Sequence, residues 1–338
     1  MNDMPLSDPL SIVTPLPEKN RIAMAGERSE SLDWSPIHPP NKILPFSERH
    51  RNTLSLVLLI AIVLCFWQSL AALYTLTQQQ DHYSHILLIP WLSLYAFYLD
   101  RKSILSSRVW SPWLGSFVIG IGALWAWRAD SAAYGADLLA VQMLAFVMMC
   151  WGIFLLCYGT RAWRTFSFGL LFLLCMVPLP TVLLNGVIVF LQRSSAEVTD
   201  LVFTILGVPF FREGFIFGLP NLSIHIAEEC SGIRSTLSLV ITSLVAGHFF
   251  LRSVWGKWAL VAIVIPLAIV KNAFRVVGLS LLANYVDPSF ITDSLLHRSG
   301  GIPLFALSLV ILLSLAWLMR RIERRTGYYS PDGLRAKV

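Results

Sequence analysis

The feature that most constrains this chain is a series of apolar runs, separated by short clusters of arginine and lysine. Each is close to the roughly 20 residues that cross a bilayer as a helix. In lipid the backbone must satisfy its own hydrogen bonds, so such runs fold as helices. The first extends from about Leu54 to Tyr74, and the second from about His85 to Leu99, ending at Asp100, Arg101 and Lys102. A third lies between Trp113 and Trp127 and a fourth between Ala136 and Tyr158. The fifth opens near Phe166 and is stopped by Pro178 and Pro180, which cannot donate to a helical ladder. Ser235 to Leu251, Trp258 to Tyr285 and Ile302 to Met319 supply three more. The expected fold is an all-α polytopic membrane protein of about eight transmembrane helices.

Composition agrees. The chain has 338 residues, 56% of them hydrophobic and 14% charged, with a mean hydropathy of +0.65, outside the range of soluble domains. A formal net charge of +6 would suit a nucleic-acid partner if it formed one patch. Instead the basic residues sit between apolar runs and report topology. Arg101, Lys102, Arg108, Arg161 and Arg164 follow the second and fourth runs, whereas Thr75 to Ser84 has no lysine or arginine. Both termini are then expected in the cytoplasm, in a multi-pass protein of the inner (cytoplasmic) membrane. Three segments follow: a polar tail over 1–52 without the pattern of a cleavable signal peptide, a transmembrane domain over 53–320, and a basic tail over 321–338.

This topology puts one long insertion, about Pro178 to Arg234, on the outer side. From Thr181 to Leu206 apolar residues recur at helical spacing with Gln192, Arg193, Glu197 and Asp200 among them, which predicts an amphipathic helix at the membrane interface. Val208 to Phe217 and Leu222 to Ile226 have strand composition, with Gly218 to Asn221 as a turn between them. A small β-hairpin is expected, with Leu222, Ile224 and Ile226 on one face and Ser223 and His225 on the other.

The hairpin leads directly to Cys230. Four of the five cysteines, Cys65, Cys150, Cys157 and Cys175, lie in apolar runs and read as small buried hydrophobes. No zinc-type spacing occurs, and neither metal nor cofactor is expected. Cys230 stands in a polar segment, after Glu228 and Glu229 and before Ser231 and Gly232, at the start of the sixth apolar run. A helix N-terminus favours the thiolate, whereas the two glutamates oppose it, so a cation is needed nearby. Arg275 lies 18 residues beyond Lys257, about 27 Å along a helix, and so reaches the outer side. Lys271 and Asn272 share its helical face. His297 lies on the outer loop before the last run, where a neutral imidazole could take and return a proton. Cysteine as nucleophile, histidine as acid and base, and arginine as anion stabiliser suit acyl transfer.

The segment Ala227 to Ser235, followed by Asn272-Ala273-Phe274-Arg275 and by His297, resembles the signature of the exosortase/archaeosortase family. Asp81 to His85 with Pro90, and Val177 to Pro180, are similar to family features in the N-terminal half, and the resemblance covers about residues 55 to 320. It implies a membrane cysteine endopeptidase and transpeptidase that recognises exported proteins by a C-terminal sorting tail: a short motif of the Pro-Glu-Pro type, a transmembrane helix and a basic cluster. Cleavage near the motif would precede transfer to a cell-envelope acceptor, such as one linked to exopolysaccharide. By the match Cys230 is the nucleophile, Arg275 the essential arginine and His297 the histidine, with His85 as rival or auxiliary histidine and Glu229 and Asn272 as auxiliary residues.

Two other classes fit parts of the pattern. An intramembrane protease using glutamates would have Glu228 and Glu229 followed by an arginine at position 233, whereas the arginine is Arg234. A transporter or lipid-linked glycan handler could line an anion path with Lys271 and Arg275, but no internal repeat supports it.

Overall fold

The computed structural model describes residues 48–106, 111–132, 136–226, 231–287 and 301–326. Helices dominate. In chain order they are α1 (Glu48–Cys65), α2 (Trp67–Gln79), a 3-10 helix (Asp81–Leu88), α3 (Ile89–Leu105), α4 (Pro112–Ala132), α5 (Ala136–Thr165) and α6 (Ser167–Phe172) with a 3-10 extension (Leu173–Met176). After α7 (Thr181–Leu206) come strands β1 (Phe211–Glu213), β2 (Ile216–Gly218) and β3 (Ser223–His225), then α8 (Ile233–Phe250), α9 (Val254–Tyr285) and α10 (Gly301–Arg325).

Among the described residues, α5, α8, α9 and α10 are each long and apolar enough to cross a membrane. Two bent pairs, α1 with α2 at 66° and α6 with α7 at 87°, bring the number to six if each pair is one span. Eight spans are not confirmed by this count. The α6 segment with its extension covers only Ser167 to Met176 before Pro178, too short to be the fifth span that its composition suggested. The second and third runs form α3 and α4, which are not among these candidates; α3 has only 17 residues and carries Asp100, Arg101 and Lys102.

Packing follows the small-residue logic of membrane bundles. The α4 and α5 helices pair so closely that a Cβ added at Gly152 would stand 2.9 Å from the Gly115 carbonyl oxygen. The α9 helix is the axis of the C-terminal half and packs against α7, α8 and α10. Its start is fixed by Glu323 of α10, whose carboxylate accepts from the amides of Arg252 and Ser253 at 2.9 and 3.1 Å.

The α7 helix occupies the span read from the sequence, entered through Pro180 and ended by Gly207 at φ +66. Asp137 receives its first amide and the Thr181 hydroxyl at 2.7 and 2.9 Å. Its two sides differ in composition. Gln192, Ser195 and Thr199 are buried, whereas Val182, Val189, Phe190 and Ile205 are exposed alongside Arg193 and Glu197. The side turned towards the protein is thus polar at these three positions, and the outward side mixes apolar residues with charged ones.

The expected hairpin is a three-stranded antiparallel meander in the order β1-β2-β3. The run from Val208 to Phe217 is not one strand, because Gly214 at φ +61 turns the chain between Glu213 and Ile216, which pair across a two-residue loop. The expected alternation holds in β3, where Ser223 and His225 are exposed and Ile226 is buried. Three ties hold the sheet. Arg212 donates to Glu197 of α7 at 2.9 Å, the backbone amide and Nδ2 of Asn221 donate to Oδ1 and the backbone carbonyl of Asn284 of α9 at 3.1 and 3.0 Å, and Phe217 packs on Phe203 of α7.

Candidate active site

Cys230, Glu229 and Glu228 lie outside the described residues, as does His297. The chain on either side of these residues is described, and it converges on α9.

Ser231, 1% exposed, is the first described residue after Cys230. Gly232 follows at φ +77 and caps α8, a backbone conformation that side chains with a Cβ rarely adopt. Its carbonyl accepts from the hydroxyls of Ser235 and Thr236, each at 2.9 Å. A Cβ added at Gly232 would meet the Asn272 Oδ1 at 2.8 Å, so the glycine is required by space as well as by φ.

The predicted polar face of α9 is therefore at the start of α8. Asn272 is buried at 1% exposure and its Nδ2 donates to Ser195 Oγ of α7 at 3.1 Å. Lys271, also buried, donates to Ser235 Oγ. Among the described residues no carboxylate pairs with Lys271. Asp200 lies 3.9 Å from Arg212. Arg275 is half-buried one turn further along α9. A Cβ on Gly301, the first residue of α10, would stand 3.9 Å from its guanidinium carbon.

Gln192 and Ser195 of α7, which the sequence marks only as polar positions in an apolar helix, also border this region. Gln192, 5% exposed, donates through Nε2 to the Ile226 carbonyl at 2.9 Å, just before the segment that carries Cys230. The available signal was a pair of polar residues three apart within an apolar helix.

His85 lies on the 3-10 helix that packs against α8. It is half-buried, and this burial, with His82 nearby, holds its imidazole below the ordinary histidine range despite a backbone hydrogen bond at His82. Among the described residues no group of histidine, cysteine and carboxylate side chains could hold a metal ion.

A family model described as transmembrane exosortase matches residues 67–314. The chain belongs to the transmembrane exosortase family. The match begins with α2 and ends within α10, so it takes in the sheet, the start of α8 and the polar face of α9. Comparison with curated proteins and with solved structures returned no significant match. Membership in the exosortases, with several long apolar helices, makes this a multi-pass membrane protein and supports a general role in protein sorting or processing.

Proposed function

We propose that this exosortase is a membrane-embedded cysteine endopeptidase and transpeptidase acting on the C-terminal sorting tails of exported proteins. One observation carries the reading: Gly232, two residues from Cys230, is pressed against Asn272, one turn from Arg275, whose guanidinium adjoins the first residue of α10. His297 is only four residues from that point along the chain.

In this reading the Cys230 thiol passes its proton to His297, and the thiolate attacks the carbonyl carbon of the scissile peptide bond. The N-terminal end of α8 and the cations of Arg275 and Lys271 stabilise first the thiolate and then the oxyanion. The C–N bond breaks as His297 returns the proton to the leaving amine. A thioester then joins Cys230 to the new carboxyl end. An acceptor amine or hydroxyl of the cell envelope attacks it, losing its proton to His297 as the thiol is regenerated. Asn272 and Glu229 act as auxiliaries, and His85 is the alternative base. Burial keeps its imidazole neutral, as an acceptor requires. The site would face the extracytoplasmic side of the inner membrane with both termini in the cytoplasm, the sidedness that the basic loops predict.

The test is processing of a tail-bearing substrate co-expressed with the full chain. Cys230→Ala, Arg275→Ala and His297→Ala should each abolish it, while Glu229→Gln should leave most of it. Loss confined to Glu229→Gln would favour a glutamate-dependent protease. Transport of a substrate that survives Cys230→Ala would favour the anion-path alternative.

A further inference from the structure

The register of β2 and β3 decides which backbone groups of β3 are used within the sheet. Leu219 and Leu222 exchange amide-to-carbonyl bonds at 2.8 and 3.3 Å, and the Ile226 amide donates to the Phe215 carbonyl at 2.9 Å. Bonded and non-bonded pairs alternate along an antiparallel ladder, so Ser223 opposite Gly218 and His225 opposite Ile216 are non-bonded pairs. The N–H and C=O of Ser223 and His225 therefore point away from β2. Both residues are exposed, and among the described residues no strand lies on that side of β3. Such an edge is a template for a further strand unless charge, proline or a cover blunts it. The opposite edge, β1, carries Arg212 bonded to Glu197, whereas β3 has no proline, lysine, arginine or carboxylate.

The same edge is held beside the polar face of α9. At one end of β3 the Ile226 carbonyl accepts from Gln192. About 4.5 Å further along the α7 axis, Ser195 accepts from Asn272, which abuts Gly232 at the start of α8. At the other end Asn221 is bonded to Asn284 of α9. We propose that the outer edge of β3 binds the peptide to be processed, in extended form, as an added strand. The proposal rests on the peptide-processing function above. Ser223 and His225 each offer the peptide one donor and one acceptor, and its alternate side chains continue the exposed face that Phe211, Ile216 and His225 share. An extended segment leaves its carbonyls open to attack, whereas a helix engages them in its own bonds. An edge of about 10 Å matches a few residues of peptide, while a stable contact between two copies of the chain needs roughly 1,000 Å².

The test uses the full chain in proteoliposomes with a tail-bearing substrate. Ser223→Pro and His225→Pro each remove one outward N–H and spare the bonds to β2, at edge positions where proline is tolerated. Each should raise KM about five-fold to ten-fold with kcat within about two-fold. Ser223→Ala and His225→Ala, which keep the backbone donor, should raise it less. A second measurement places Ser223→Cys in the Cys230→Ala background and oxidises it against single cysteines moved along the substrate tail, with the links mapped by peptide mass. Links at every second substrate position are expected, because alternate residues of a strand share a face. Links at every third or fourth position, the period of a helix, would overturn the proposal. So would an absence of links, links only between two copies of the chain, or proline variants with the KM of their alanine counterparts. Where a proline variant fails to fold, the linkage pattern decides. Processing at the wild-type rate by Cys230→Ala would instead overturn the cysteine mechanism, and the KM series would then decide the edge by itself.

Discussion

Asn272 of α9 packs so closely against Gly232 that a methyl group on the glycine would lie 2.8 Å from the asparagine Oδ1. This contact joins the N-terminus of α8 to the one helical face that carries Lys271, Asn272 and Arg275. It ties the neighbourhood of the candidate nucleophile to that of the candidate arginine.

Gly232→Ala should therefore act twice, through the left-handed backbone, worth about 1–2 kcal/mol, and through overlap with Asn272. We expect a lower thermal midpoint in detergent together with at least a ten-fold loss of substrate processing. A variant with wild-type midpoint and activity would show that the start of α8 tolerates displacement.

Glu323 is buried at 8% exposure and accepts from two amides that open α9. Hydrogen bonds to charged groups contribute roughly 1.5–3 kcal/mol. Glu323→Ala should destabilise the protein by about that amount, and Glu323→Gln, which keeps one acceptor, by less. Thermal unfolding of the purified variants measures both, and equal midpoints for wild type and Glu323→Ala would remove the carboxylate from any account of α9.

Much of this architecture is legible in the sequence, because apolar runs and helix stops are local. Pro180 and Gly207 mark the limits of α7 correctly, one as N-cap and the other at φ +66. The bend between α1 and α2 is not legible. Cys65, Phe66 and Trp67 continue the apolar run, and neither proline nor glycine marks the break. The inward turn of Gln192, Ser195 and Thr199 is hidden for another reason. Polar positions mark the water-facing side of a helix at an interface and the protein-facing side of one in lipid, and spacing alone does not distinguish them. The polar face of α9 is legible as residue types, but the contacts of Asn272 with Gly232 and Ser195 depend on packing between α7, α8 and α9.

His85 should give the folded protein an acid sensitivity of known sign. Burial lowers its pKa below the ordinary 6.5, so the folded state resists protonation more than the unfolded state does. Its contribution to stability is complete above about pH 6.5 and is lost progressively as the pH falls below that value. Thermal midpoints measured from pH 7.5 to 5 should fall more steeply in wild type than in His85→Gln. Parallel curves would contradict the effect of burial.

The central claim is covalent chemistry at Cys230, and the most direct measurement is to trap its intermediate. A tail-bearing substrate is incubated with the full chain in membranes, quenched in acid and separated under denaturing conditions, and the adduct is mapped by peptide mass. The predicted result is a hydroxylamine-sensitive thioester between Cys230 and the new carboxyl end of the substrate, absent in Cys230→Ala. Cleavage at the wild-type rate by Cys230→Ala, with no adduct on either protein, would contradict it.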